Sequence, residues 1–374
     1  MTPRQKKGSK NHHFVPQFFQ RFFSYENNRK TIGMYNIRHN QFRIQVPIPS
    51  QLSSPNFYGR DGELEDWLSK HETDCAPLFR EMLETEKLPI FQSSDHFKMM
   101  QFMIILDLRN PVHFKILNYF AQKLRNTKSK ISEGNVSPDM IPSLEKEQTD
   151  QGKMSSLQSA GLIAKDVMDL KYKLIKNTSA SPFIISDNPL VMYNQFLEKR
   201  KWKFCSQRDY GFKGIQFFLP LNDSHMLAVY DSDIYKLGNK KQLVVKIDDK
   251  SSIDQLNILQ FLNSETTVNF NHRASEHYIR MLHEKSKKYK KANDGFISVH
   301  ALKPPKVNDN FTAQLIEMGV SDLNIKLSVQ KLNFISKSCA VRMRTIEDQY
   351  RKNTKLKGNT LQVFRLTPII DNIQ

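Results

Sequence analysis

Phenylalanine recurs at 18, 19, 22 and 23, the spacing of one face of a helix, directly after a turn primed by Pro16. Apolar and polar positions then alternate. Ile32, Met34, Tyr35 and Ile37, followed by Phe42, Ile44 and Val46, predict a hairpin over 31–46 around Arg38-His39-Asn40. Pro47, Pro49 and Pro55 break it off. Helical periodicity resumes near Asp61-Gly62 and runs to about Glu84, with Leu64, Trp67, Leu68, Leu78, Phe79 and Met82 as the buried stripe. Pro77 is expected to kink or split that helix. Ser93, Ser94 and Asp95 offer N-caps to the next one, which is apolar on most sides through Leu108 and therefore central.

Arg109-Asn110-Pro111 interrupts this helix, because proline lacks a backbone donor and disfavours helical geometry before it. A guanidinium at a break in a buried helix must meet a carboxylate, a backbone carbonyl or an anionic ligand. Residues 126–152 carry charge and turn formers without periodicity and read as a surface excursion. A helix over 154–169 leads to strands at 172–176 and 182–193, joined as a hairpin through 177–181. Strand patterns continue at 212–221, 225–230 and 243–247, and residues 252–283 return to helix. From Pro304 onward the pattern is mixed, with a last strand at 361–366. The class is α+β: a mostly helical N-terminal half packed on an antiparallel β-sheet, followed by further helices. Residues 1–283 form the expected core, and 284–374 a basic linker with a mixed α/β extension.

Charge narrows the choice of partner. Lys and Arg number 56 against 38 Asp and Glu, a net charge of +18, which suits a polyanion such as RNA or DNA. A basic surface that only aids solubility is the alternative. Cys75, Cys205 and Cys339 are odd in number and in no C-x-x-C spacing, which argues for a reducing compartment and against a disulfide framework or zinc knuckle. Met1 to Lys10 lack an apolar run, and Phe102 to Leu106 is far short of a membrane span, so a soluble cytoplasmic protein without a membrane partner is expected.

Candidate chemistry gathers in two segments. His12 and His13 stand at the entrance of the phenylalanine helix, where a helix N-terminus disfavours the imidazolium, so neutral rings suit a general base, a metal ligand or a phosphate contact. In an extended segment the two rings point to opposite sides. The run Phe183-Ile184-Ile185-Ser186-Asp187-Asn188-Pro189 ends a strand with a carboxylate and an amide at its tip, either a site or a plain Asx-turn. Glu65 and Glu72, seven apart, share one helix side. The run from Lys285 to Lys291, with Tyr289 inside it, is a solvated helix end or a nucleic-acid contact. No G-x-G-x-x-G, Walker A, H-E-x-x-H or G-x-S-x-G pattern occurs, and His272 and His277, at i and i+5, diverge on a helix.

The stretch from His12 to Phe19 resembles the opening H-[HY]-[FY]-V-P-Q-[FY]-[FYL] signature of the bacterial domain of unknown function 4238 family. Asn56-Phe57-Tyr58, Arg109-Asn110-Pro111, an F-x-x-S-D-N-P match at 183–189 and Leu219-Pro220-Leu221 follow in order, over about residues 10–283. The resemblance implies no activity, but it groups His13, Gln17, Glu65, Glu72, Arg109, Asp187 and Asn188. Such a set is the content of an active site or of a buried polar network. The leading expectation is a nuclease acting on RNA or DNA, with a role in bacterial defence against phage compatible with it. His13 or His12 would be the base or a metal ligand, and Asp187 with Glu65 or Glu72 would hold Mg²⁺ or Mn²⁺. Arg109 would stabilise the phosphate, while Gln17 and Asn188 orient groups. The alternative is a non-enzymatic nucleic-acid-binding module whose motif residues form a structural network.

Overall fold

The computed structural model describes residues 11–59, 62–131, 150–202, 206–292, 295–302, 313–341, 343, 346–354 and 363–365. Strand β1 (Asn11–His13) leads into α1 (Gln17–Gln20), and a 3-10 turn at Arg21–Phe23 continues the phenylalanine helix. Strands β2 (Thr31–Asn36) and β3 (Gln41–Pro47) form the expected hairpin, and β4 (Ser53–Pro55) returns antiparallel to β1, with His13 opposite Ser53. Helices α2 (Glu63–Thr85), α3 (Ser94–Leu108) and α4 (Pro111–Ile131) follow, then the shorter α5 (Asp150–Gln158) and α6 (Ala160–Asp166). The second half contains β5 (Lys171–Asn177), β6 (Ile185–Ser186), β7 (Val191–Tyr193), α7 (Gln195–Lys199), β8 (Gln216–Pro220), β9 (His225–Tyr230), β10 (Tyr235–Leu237) and β11 (Val244–Ile247). Helix α8 (Lys250–Asn263), β12 (Thr267–Phe270), α9 (Glu276–Ser286), β13 (Gly295–Leu302), β14 (Ala313–Val320), β15 (Leu332–Phe334) and β16 (Val363–Arg365) complete it.

The α+β class is as the patterning predicts. The two larger sheets are a five-stranded one in the order β11-β5-β9-β8-β7 and a four-stranded one in the order β3-β2-β12-β6, beside a three-stranded β13-β14-β16 sheet and the pairs β1-β4 and β10-β15. The first is mixed, because β11 runs parallel to β5 while its other pairs are antiparallel. One core lies among α1, α2 and α3, where the Phe79 and Phe102 rings approach to 4.7 Å and Phe19 packs on both. A second lies around α8 and the strands that touch it. Later segments pack back onto the earlier chain: β15 pairs with β10, and Phe212 bridges to Tyr350.

Several expectations are corrected. Pro77 neither ends nor splits α2; Thr73 and Pro77 are both exposed, so the carbonyl that loses its partner lies at the wet face, where water can replace the bond. Segment 177–181 is not a hairpin. The Asn177 amide donates to the Ser181 carbonyl, while β5 pairs with β9 and β11, and the chain beyond 181 crosses to the other sheet, where β6 meets β12. Residues 252–283 are not one helix, since Thr267–Phe270 is a strand between β2 and β6. The surface excursion begins later than expected, because α4 runs through Ile131; residues 132–149 lie outside those described. No helix among the described residues is long and apolar enough to cross a membrane.

Candidate functional site

Strand β1 delivers its two histidines into different surroundings, as alternation requires. The His12 ring stacks on Tyr58 at 5.7 Å between centroids, and its Nδ1 accepts from the Tyr58 backbone N–H at 3.0 Å. His12 is thus a buried packing and capping residue. The His13 ring points instead to the Pro49 carbonyl, 3.2 Å from Nε2, and burial holds its pKa below the ordinary histidine value.

Arg109 closes the first half of the site. It sits at the C-terminus of α3, 1% exposed, where Pro111 restarts the chain as α4. Its guanidinium spends its donors in three directions: on Glu72 Oε1 at 2.7 Å, on the Tyr58 hydroxyl at 3.2 Å and on the backbone carbonyl of His13. The Tyr58 hydroxyl in turn donates to the Arg109 carbonyl at 3.0 Å. Burial would discharge the guanidinium, yet Tyr58 and Glu72 raise its pKa further, so the charge is held. The sequence-derived requirement of a carboxylate or a carbonyl is met by both.

The second half is built on Asp187 and Asn188. Asp187 is buried, and its carboxylate takes the N–H of Glu265 at 2.8 Å on Oδ1, with the N–H of Thr266 at 2.6 Å, the Thr266 hydroxyl at 2.7 Å and the N–H of Thr267 at 3.0 Å on Oδ2. Burial pushes the Asp187 carboxyl up, and these four donors pull the other way. Its role is to fix the turn between α8 and β12. Asn188 accepts from Asn110 Nδ2 at 3.0 Å, while the Asn110 Oδ1 takes the N–H of His113 and caps α4. Arg109 and Asn110, adjacent in sequence, therefore tie the two motifs together: one holds the β1 backbone, the other the 187–188 bend.

The irregular course of 182–190 is sustained by α8. Asn257 Nδ2 donates to the Pro182 carbonyl, Gln260 Nε2 to Pro189, and Asn263 Nδ2 to both Asn188 and Leu190. The oxygens of Asn257 and Gln260 accept the N–H groups of Ile184 and Ser186. Amides at i, i+3 and i+6 thus stand in for a strand partner along this stretch, while the Phe183 N–H goes to the Asp223 carbonyl. These three amides and Thr266 were not singled out from the sequence; Tyr58 and Asn110 stood inside named motifs but were given no role. The signal was there: Asn257, Gln260 and Asn263 recur along one face of a helix whose second half is otherwise apolar.

One group remains chemically unsettled. Glu65 lies on the same side of α2 as Glu72, near Arg109, and its Oε2 is a buried atom with no hydrogen-bond partner. Burial raises its carboxyl to about 7, against the pull of Arg109 and with the push of Glu72 and Asp66. Because the folded pKa lies above the unfolded one, the folded state binds the extra proton, and stability falls as pH rises from about 4.5 to about 7. Glu65→Gln is expected to flatten that slope and to gain about 1–2 kcal/mol at pH 8, allowing for partial solvent screening. Urea denaturation at pH 5 and pH 8 checks it; a slope unchanged in the variant would contradict the assignment.

The structure therefore joins His13, Arg109 and Glu72 directly, sets Glu65 beside them, and reaches Asn188 through Asn110. Asp187 is committed to the 265–267 backbone and the Thr266 hydroxyl. Among the described residues no three His, Cys, Asp or Glu side chains converge as a cation's ligands, because Asp187 faces the 265–267 backbone and Glu72 faces Arg109. Gln17 accepts from Arg21, one helical turn on, at 3.1 Å. The lysine run is partly spoken for: Lys287 pairs with Glu284, Lys285 lies 3.5 Å from Asp254, and Lys291 donates to the Ser264 carbonyl.

A family model described as protein of unknown function (DUF4238) matches residues 11–274. The chain belongs to this family. The DUF4238 match opens on the first residue of β1 and closes just before α9, so it contains both motifs, the Arg109-Asn110 corner and the amides of α8. No curated protein and no solved structure matches the chain.

Proposed function

We propose that this chain is a nucleic-acid-binding module in which the signature residues of DUF4238 form the joint that holds the fold. The observation that carries the reading is saturation: the carboxylate of Asp187 and the guanidinium of Arg109 are buried and committed to partners inside the protein. An arginine that clamps a phosphate needs donors turned toward solvent, and these are not. The net charge of +18 supports a polyanion as the partner.

Labelled single-stranded RNA and DNA, filter-bound at rising salt with Mg²⁺ or Mn²⁺ present, test this. The expected result is intact bound strand, with log K falling linearly in log salt at a slope of about −0.7 per phosphate contacted. Failure to bind at low ionic strength would overturn the proposal.

Glu65 favours a second reading, a phosphodiester hydrolase suited to bacterial defence. A carboxyl raised toward neutrality near Arg109 and Glu72, the same two charges that His13 feels while burial lowers its pKa, is the environment of an acid–base pair. On this reading the wild type cleaves the strand and Glu65→Gln does not.

A further inference from the structure

A cavity of about 930 Å³ opens away from the signature residues, between the segment that links α2 to α3 and the strands β5 and β10. Its walls carry the half-buried Phe91 and, largely covered beneath the surface, Tyr172, Tyr230 and Tyr235. Its charged lining consists of Lys171, Lys173, Lys236 and Lys240, and no carboxylate faces it from any of these elements. The Lys171 ammonium stands 3.1 Å from the centre of the Phe91 ring, and Lys173, 5% exposed, donates to the Asn239 carbonyl. None of the four lysines makes an ion pair among the described residues. Burial lowers the pKa of Lys171 and of Lys173, and Lys240 and Lys236 respectively add like-charge repulsion. At the rim Ile90 and Leu243 are exposed apolar side chains, 81% and 48%.

Gathering partly buried like charges is costly in the empty protein, and an anion with a flat apolar part relieves the repulsion while covering the apolar rim. We propose that this cavity binds a nucleotide, with the base against the aromatic rings and the phosphates among the lysines. The volume lies within the usual range of ligand sites. Four ammonium groups without an acid suit a multiply charged phosphate better than the single charge of a fatty carboxylate. Base stacking on such rings contributes about 1–3 kcal/mol per base. The nucleotide is either free or part of a single strand; the inference rests on the nucleic-acid reading above only for the second source.

Isothermal titration of the full chain with ATP, with inorganic tripolyphosphate and with a single-stranded oligonucleotide separates the sources. The comparison proteins are Lys236→Glu/Lys240→Glu, two exposed positions, and Phe91→Ala, each checked for an unchanged circular dichroism melt. Binding of ATP or the oligonucleotide is expected to weaken about tenfold or more in the charge-reversed protein and about threefold or more in Phe91→Ala, with ATP held more tightly than tripolyphosphate. No binding of either nucleotide probe by the wild type overturns the inference, as does equal binding by wild type and variants. Oligonucleotide binding that survives the charge reversal removes the cavity and leaves the nucleic-acid reading standing. ATP binding lost on charge reversal, without oligonucleotide binding in the wild type, keeps the cavity and removes the polymer.

Discussion

Arg109→Met is expected to cost about 3–5 kcal/mol of folding stability, because it removes one partner of a buried ion pair and leaves Glu72 facing an apolar side chain. The loss reaches further than the pair. The same guanidinium holds the Tyr58 hydroxyl and the His13 carbonyl, so β1 and the loop at Tyr58 both lose their anchor. Arg109→Lys should recover only a fraction of the loss, since one ammonium on a flexible stem cannot serve three fixed directions. Urea midpoints of the three proteins decide it. A cost below about 1 kcal/mol for Arg109→Met would reduce the ion pair to a surface-like contact.

Asp187→Ala is the second large effect. It leaves the N–H groups of Glu265, Thr266 and Thr267 and one hydroxyl without their buried acceptor, in a turn whose Thr266 is exposed and whose other two residues are half-buried. Each orphaned donor costs about 1–3 kcal/mol, and partial rescue by water still leaves a loss of about 3 kcal/mol or more. Asp187→Asn should stay severe, because one amide nitrogen would turn a donor toward donors. If Asp187 instead served chemistry without holding the turn, Asn would fold like the wild type and only an activity would change. Thermal melts of the two variants separate these outcomes.

Much of the local structure was legible because it depends on neighbours in sequence. The phenylalanine spacing gave the first helix, alternation gave β2 and β3, and Ser93 caps α3 by accepting the N–H of His96. The break at Arg109-Asn110-Pro111 was visible, and the cost of burying a guanidinium was enough to require the partners it has. What remained hidden depends on distant contacts. Segment 182–190 reads as a strand by its apolar run, but whether a strand or the side-chain amides of α8 satisfy its N–H and C=O groups depends on residues some seventy positions later. Likewise, nothing in Ser252 to His283 marks Thr267–Phe270 as a strand until β2 and β6 lie on either side. For the site, the residues themselves were legible and their convergence was not: a carboxylate at a bend has the same sequence whether it faces a ligand or the backbone of 265–267.

The coupling between the two motifs is the central claim, and its hydrogen-bonded link is Asn110 Nδ2 to Asn188 Oδ1 at 3.0 Å, beside the core that Phe14, Val15 and Phe19 share with Ile185 and Leu190. A double-mutant cycle of Asn110→Ala and Asn188→Ala in urea measures it most directly. An interaction energy of about 1 kcal/mol or more is predicted for a buried contact that joins the halves; additivity within about 0.3 kcal/mol would contradict the joint.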